Sequence, residues 1–202
     1  MYLTRVLAGP PAAAPLRRAD DLAYVAARAV AGDRNAFASL MSAHKDALYR
    51  FVRRRIGDRE DAYDVVQETF VAAWQAIERY DPNRSFGTWV RSIALNKCRD
   101  RARRAKVRFA ILAPCSDEAV ERMPDDGGSP EEALIARSEM QRLATALSML
   151  PDHLKEALTL TTIDCLPQAA AAEILGCSIK AVEYRVARAR EMLTCALRDG
   201  GE

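Results

Sequence analysis

Histidine is nearly absent: the chain holds two, His44 and His153, beside five cysteines, Cys98, Cys115, Cys165, Cys177 and Cys195, that never form a Cys-x-x-Cys pair. A structural zinc site needs ligands at short, paired spacings, so this scatter argues against one, and no cofactor is expected. An odd cysteine count without a secretory leader fits reduced thiols, with Cys98 and Cys177 in helical or turn segments as small buried hydrophobes. Also missing are a phosphate-cradling glycine loop and a nucleophile beside an oriented base, so the chain is not expected to be an enzyme in its own right. No apolar run approaches the roughly 18 residues of a membrane span. A soluble, cytoplasmic protein without membrane insertion is the expectation.

Glycine is scarce as well, at 9 residues, and β-branched residues are few, whereas Ala, Leu, Arg and Glu dominate. These are helix formers, and the expected fold class is all-α. With 202 residues, half of them hydrophobic, there is material for one large core or two small ones. The stretch from Met1 to Arg18 carries prolines at 10, 11 and 15 and no run long enough for a signal-peptide core. Residues 1–20 are expected to form a disordered tail.

Net charge, +2, says little about partners, but its distribution says more. From Arg91 to Arg108 eight Lys or Arg face the single Asp100, whereas from Ala113 to Glu132 seven Asp or Glu face Arg122 alone. The first block suits phosphate; the second does not.

Helical spacing begins at Leu22. Phe37, Leu40, Met41, His44, Leu48, Phe51 and Val52 trace one stripe of a long second helix that Gly57 is expected to stop, and His44 on that stripe reads as a packed histidine rather than a ligand. Asp58 is placed to cap a third helix whose Ala62, Val65, Val66, Phe70, Ala73, Trp74 and Ile77 form one face and whose Asp61, Asp64, Gln67 and Glu68 form another. Asp81-Pro82-Asn83-Arg84-Ser85 is a turn by composition, and Phe86, Trp89, Val90, Ile93 and Ala94 restart the period in a fourth helix that runs into the basic block, with Arg99, Arg103 and Arg104 outward. These four helices make a first domain, 21–106. Residues 107–130 lose periodicity among acidic residues, prolines and glycines and read as a flexible linker. A second helical domain, 131–198, follows, with Leu143, Leu147 and Leu150 on one helix and Leu154, Ala157 and Leu158 on the next, which starts at Pro151-Asp152.

Near the C-terminus, Gln168 to Leu175 forms a short alanine-rich helix, Gly176-Cys177-Ser178 a turn, and a longer helix follows: a helix-turn-helix. Ser178 is a good N-cap, and Ile179, Val182, Val186, Ala189 and Leu193 give the last helix a buried stripe. Lys180, Glu183, Tyr184, Ala187 and Arg188 then point outward. Such a helix can enter a major groove, where an Arg fork matches guanine and a Glu accepts from cytosine, while Arg185 and Arg190 suit phosphates. Two packed helices of a bundle with a charged surface would look the same from this segment alone.

Two stretches resemble a known family. Asp64-Val-Val-Gln-Glu-Thr-Phe-Val-Ala-Ala-Trp74, with Arg84-Ser-Phe-Gly-Thr-Trp89 and Ile93-Ala-Leu-Asn96, is similar to region two of the extracytoplasmic-function (ECF) sigma factors of the sigma-70 family. Ala172-Glu-Ile-Leu-Gly-Cys-Ser178 and Arg188-Ala-Arg-Glu191 resemble region four of that family. The matches stand in the family's order, separated by a linker, and cover most of Leu22 to Leu197.

The resemblance implies a promoter-recognition subunit of RNA polymerase that answers a stress or environmental signal. Asp61, Asp64, Gln67 and Glu68 would dock on the clamp helices of the polymerase largest subunit, an acidic face for a basic partner. The flap of the second-largest subunit and an anti-sigma factor are further implied partners. Asn83, Arg84 and Ser85 would belong to the loop that captures a flipped promoter base, and Asn96, Lys97, Arg99, Asp100, Arg103 and Arg104 would lie along the melted minus-ten strand. Lys180, Glu183, Tyr184, Arg185, Ala187, Arg188 and Arg190 would read the minus-thirty-five element of promoter DNA. Trp74 and Trp89 lie on apolar stripes and are read as core rather than as stacking platforms. Arg53-Arg54-Arg55 is either a solvated helix end or an accessory contact to DNA or polymerase.

The chain departs from the family where Pro167 and Ala170 replace the Ser and Glu that would open the first helix of the helix-turn-helix with a capping box, although proline suits a first helical turn. Glu183 and Tyr184 replace the usual basic and small residues, so the sequence they read is not inferable. The principal alternative is a free-standing helix-turn-helix regulator that binds an operator without polymerase; a third is a pair of protein-interaction modules, against which the basic block from Arg91 to Arg108 argues.

Overall fold

A computed structural model describes residues 19–82, 84–112 and 130–199, and among these every regular element is helical. The chain divides into two compact units, Met1–Ile111 and Leu112–Glu202. The expected tail and most of the expected linker, 113–129, lie outside the described residues, as does Cys115.

In the first unit the helices are α1 (Ala19–Val30), α2 (Arg34–Arg53), α3 (Arg59–Gln75) and α4 (Phe86–Leu112), with a 3-10 turn at Ile77–Arg79. Asp33 caps α2, its carboxylate accepting the amides of Asn35 at 2.9 Å and Ala36 at 3.1 Å. Asp58 caps α3 as its position in the sequence suggests, accepting from Asp61 N–H at 2.8 Å.

The end of α2 differs from expectation. The helix stops at Arg53 rather than at Gly57, and no positive φ or crowded Cβ makes a glycine necessary at 57. Arginines close the helix instead: Arg55 donates to the Phe51 carbonyl at 2.8 Å with its guanidinium 3.6 Å from the Phe51 ring centroid, and Arg53 donates to the carbonyls of Ile56 and Gly57.

The core of this unit is large-ringed. Leu40, Leu48, Phe51, Val52, Val65, Phe70 and Val90 are buried, and Thr69, apolar in outline, satisfies its hydroxyl on the Val65 carbonyl at 2.6 Å. Around Phe86 gather Phe37 at 6.1 Å, His44 at 5.4 Å, Tyr80 at 5.5 Å and Trp89 at 5.7 Å between ring centroids. Trp74 packs on Phe37 at 5.0 Å. Both tryptophans thus spend a ring face on the core, although each is half-exposed.

α4 continues through Leu112, past the expected boundary at 106. Arginine, lysine and alanine carry high helix propensity without apolar periodicity, so a fading stripe does not end the helix.

In the second unit, α5 (Pro130–Met149), α6 (Asp152–Leu158), a π-turn (Thr159–Ile163), α7 (Gln168–Leu175) and α8 (Ile179–Asp199) follow one another. Proline at the first position of α5 gives up an amide that would have no helical partner. The core is small-grained: Leu150, Leu154, Ala157, Leu160, Ala171, Ala172, Ile174, Val182, Val186 and Ala189 are buried. Alanine at 157, 171, 172 and 189 lets the helices approach closely. Leu147, Leu158, Met192 and Leu193 pack around Leu150, Leu154 and Ala189. Leu143, expected on the inner stripe, is exposed.

Candidate polymerase and nucleic-acid surfaces

α3 presents its acidic residues away from its buried side, since Ala62, Val65, Val66, Thr69, Phe70 and Ala73 fill the inner face. Asp64, Gln67 and Glu68 are exposed. Asp61 is not as open as its helical position suggests: it is half-buried and accepts from Arg101 of α4. Glu68 likewise pairs with α4, its Oε2 lying 3.3 Å from Lys97 Nζ. The strip expected to face one partner is therefore tied to the helix expected to face another. Tyr63, exposed on α3 with its ring tilted against Tyr49 of α2 at 4.7 Å between centroids, adds an aromatic edge to the outer side of α3.

The turn before α4 is anchored from both ends. The Tyr80 hydroxyl donates to the Arg84 carbonyl, and exposed Arg84 lies 3.8 Å from Asp81. The Ser85 carbonyl accepts from Trp89 N–H at 3.0 Å, and its hydroxyl stands 3.4 Å from Thr88 N, which makes it the cap of α4. Asn83 lies outside the described residues.

Along α4, Asn96 is exposed and accepts from half-buried Arg99 at 3.1 Å, while exposed Asp100 pairs with exposed Arg103. Arg104 is exposed. Cys98 faces inward, and its burial pushes the thiol up to about 11 against the opposing pull of Arg55, so it stays protonated as a core hydrophobe does. Cys165 and Cys195 are exposed free thiols, and Cys177 is half-buried.

The helix-turn-helix closes on a Schellman motif. Gly176 takes φ +64, its amide bonding the Glu173 carbonyl at 3.3 Å while Cys177 N–H bonds the Ala172 carbonyl at 3.0 Å. Ser178 then caps α8 by accepting Ala181 N–H at 3.2 Å. Pro167 occupies the N-cap of α7 without a side-chain cap, just ahead of the first turn expected for it.

On α8, Val182, Val186 and Ala189 form the buried stripe, with Leu193 half-buried at its end. Ile179, expected on that stripe, is 46% exposed at the first residue of α8. Lys180, Glu183, Tyr184, Ala187, Arg188 and Arg190 all reach solvent. Arg188 lies 3.0 Å from Glu191 on its own helix. Arg185 is half-buried instead and its guanidinium lies 3.7 Å from Cys177 Sγ, so it braces the turn.

Sequence reasoning missed Arg101, although it sits in the basic block one turn beyond Lys97. Outward position alone could not reveal that it reaches across to Asp61. Arg53 and Arg55 are engaged by backbone carbonyls at the end of α2, and both are half-buried. Among the described residues no group of histidine, cysteine and carboxylate side chains could hold a metal ion, and no helix is long and apolar enough to cross a membrane.

Comparison with known proteins gives matches in both units. Residues 40–108 match the model of sigma-70 region 2, and residues 140–193 match that of sigma-70 region 4. The chain is 39% identical over 176 residues to RNA polymerase sigma factor CnrH of Cupriavidus metallidurans, covering 86% of this chain and 92% of the relative. It is 32% identical to the ECF RNA polymerase sigma factor SigW of Bacillus subtilis, covering 83% and 92% respectively. A solved structure of CnrH in complex with the cytosolic domain of CnrY aligns with 92% of this chain and all of that chain, at 36% identity and a TM-score of 0.61.

Proposed function

This chain belongs to the ECF sigma factors of the sigma-70 family, and from that membership we propose which of its residues carry the work. It binds core RNA polymerase and directs promoter-specific transcription initiation. In this reading residues 21–106 dock on polymerase and open the minus-ten element, residues 107–130 join the two parts, and residues 131–198 bind the minus-thirty-five element. Catalysis stays with the polymerase, and the chain works in the cytoplasm in response to a stress or environmental signal.

The observation that carries the docking assignment is the outer face of α3. Its inner face is completely filled, so Asp64, Gln67 and Glu68 have no part in the core. Anionic side chains on a rigid helix suit a basic partner surface, which we assign to the clamp helices of the largest subunit. The flap of the second-largest subunit is the proposed partner of the C-terminal unit. We assign Asn83, Arg84, Ser85, Asn96, Lys97, Arg99, Asp100, Arg103 and Arg104 to the melted strand. Lys180, Glu183, Tyr184, Ala187, Arg188 and Arg190 on α8 face the upstream duplex, Arg185 acting as a brace. Because CnrH has been solved with the cytosolic domain of CnrY, an anti-sigma partner is proposed for this chain too. A free-standing operator-binding regulator would account for α7 and α8 but leave the acidic face of α3 without a role.

The test is the double substitution Asp64→Lys and Glu68→Lys. Placing two cations against a basic surface is expected to weaken binding to core polymerase by several kcal/mol, on the order of a thousandfold. Circular dichroism should show the helices retained and stability lowered by no more than about 1 kcal/mol, the scale of the exposed Glu68–Lys97 pair that the change removes. Wild-type affinity and full promoter-dependent transcription from the folded variant would overturn the docking assignment.

A further inference from the structure

We propose that Glu183 sets one base of the upstream element: its carboxylate accepts from the N4 amino group of a cytosine in the major groove and rejects guanine and thymine at that place. The proposal rests on the reading above, in which α8 faces the upstream duplex.

The outward side of α8 carries two carboxylates among its cations, and their surroundings differ. Lys180, Arg188 and Arg190 reach solvent there, as contact with phosphate requires. Glu191 lies 3.0 Å from Arg188, so its charge is matched within the helix. Glu183 is exposed and has no hydrogen bond or ion pair among the described residues. Of its neighbours one turn away, Ile179, Val186 and Ala187 carry no charge, and Lys180 forms no ion pair. Glu183 does not cap the helix either. Ser178 holds that place, and Glu183 stands beyond the first turn, where the pull of the helix dipole has faded. The folding of α8 gives this carboxylate no task.

General attraction to DNA gives it none. A carboxylate brought beside phosphates is repelled and stripped of water, so it weakens binding at every sequence that offers it no donor. The donor has to come from a base edge. In the major groove guanine presents two acceptors, and thymine an acceptor and a methyl group, which leaves the amino groups of cytosine and adenine. Adenine sets its N7 acceptor beside that amino group, whereas cytosine presents its N4 donor alone. An acceptor-only side chain therefore fits cytosine.

Exclusion contributes as much as attraction, because the wrong base leaves the carboxylate desolvated and unpaired. Arg188 cannot relieve it. At about 100° per residue the two side chains stand on opposite flanks of the outward face, and Arg188 already has Glu191 beside it.

The experiment assembles the full-length protein with core RNA polymerase and selects bound duplexes from a pool randomised upstream of the start site, followed by sequencing. Wild type is expected to enrich cytosine at one upstream position by about five- to a hundredfold over guanine or thymine. Glu183→Gln should move the preference at that position to adenine, whose N6 and N7 suit an amide, and leave the other positions as they are. Glu183→Ala should abolish the preference there and bind duplexes carrying guanine or thymine at that position more tightly than wild type does. A merely structural role for Glu183 would produce neither change. A uniform loss of affinity across all sequences, a cytosine preference that survives both substitutions, or adenine as the base selected by wild type overturns the inference while leaving the assignment of α8 to the upstream duplex intact. A wild-type pool with no upstream position selected overturns that assignment, and the inference falls with it.

Discussion

The two units build functional surfaces in opposite ways. In the first, a core of interlocking rings, Phe37, Phe86, Tyr80, Trp89 and Trp74, fixes helices whose charged faces then meet one another, Asp61 with Arg101 and Glu68 with Lys97. In the second, alanines and medium aliphatic residues let short helices pack closely, and on the outward face of α8 Arg188 pairs with Glu191 of the same helix. One surface belongs to an arrangement of helices and the other to a single helix. A surface of the first kind can be regulated by whatever touches a neighbouring helix; one of the second kind depends chiefly on how its own helix is launched.

The largest effect that could break this comparison lies in the core of the first unit. Phe51 is 1% exposed, and Phe51→Ala should cost about 3 to 5 kcal/mol, part transfer energy and part cavity. Hydrogen exchange should show protection lost over α2 and α3, while the amides of Val182, Val186 and Ala189 in α8 stay protected. Simultaneous loss in both units would mean that they fold as one body and that their separate cores are not the relevant division.

A smaller effect sharpens the comparison by making the same change in each unit. Gly176 has φ +64 with open space where a Cβ would stand, so Gly176→Ala meets only backbone strain, about 1 to 2 kcal/mol. Gly57 also has open space but no positive φ, and Gly57→Ala should be neutral or slightly stabilising. Thermal melts of the two variants measure the difference. Equal effects would show that the launch of α8 does not depend on the left-handed turn.

The helix-turn-helix was the most legible part of the chain because its signals are local: a glycine that must turn left, a serine that caps, and valines at helical spacing. Asp58 was legible for the same reason. What could not be read from sequence was tertiary. Gly57 looked like the stop of α2, yet arginine side chains folding back on Phe51 and Gly57 carbonyls close that helix. Apolar spacing put Ile179 inside, whereas at the first residue of α8 it is exposed, because spacing along a helix does not say which of its turns a neighbour covers. The acidic strip of α3 was identifiable residue by residue, but its pairing with α4 joins positions 40 and 29 apart, which no periodicity links. Resemblance to a family supplied roles for these residues without the contacts between them.

The smallest expected effect returns to the ringed core and asks whether its one histidine behaves as part of it. His44 packs on Phe86 at 5.4 Å, and a Cβ on Gly87 would lie 3.2 Å from its ring, so α2 and α4 meet there without space to spare. Burial first, and then the Arg91 guanidinium, hold its pKa below the ordinary 6.5. A depressed histidine pKa favours the neutral native form, so the stability it contributes is present above pH 6.5. That contribution is lost as pH falls from there through the folded-state value, because the unfolded chain takes up the proton first. Melting temperature of the first unit should therefore decline on acidification from pH 6.5, and His44→Asn should flatten that decline while costing some packing at neutral pH. The effect is modest because the ring is only half-buried and keeps some contact with water. An unchanged pH slope in the variant would assign the acid sensitivity to the carboxylates and leave His44 as a spacer between α2 and α4.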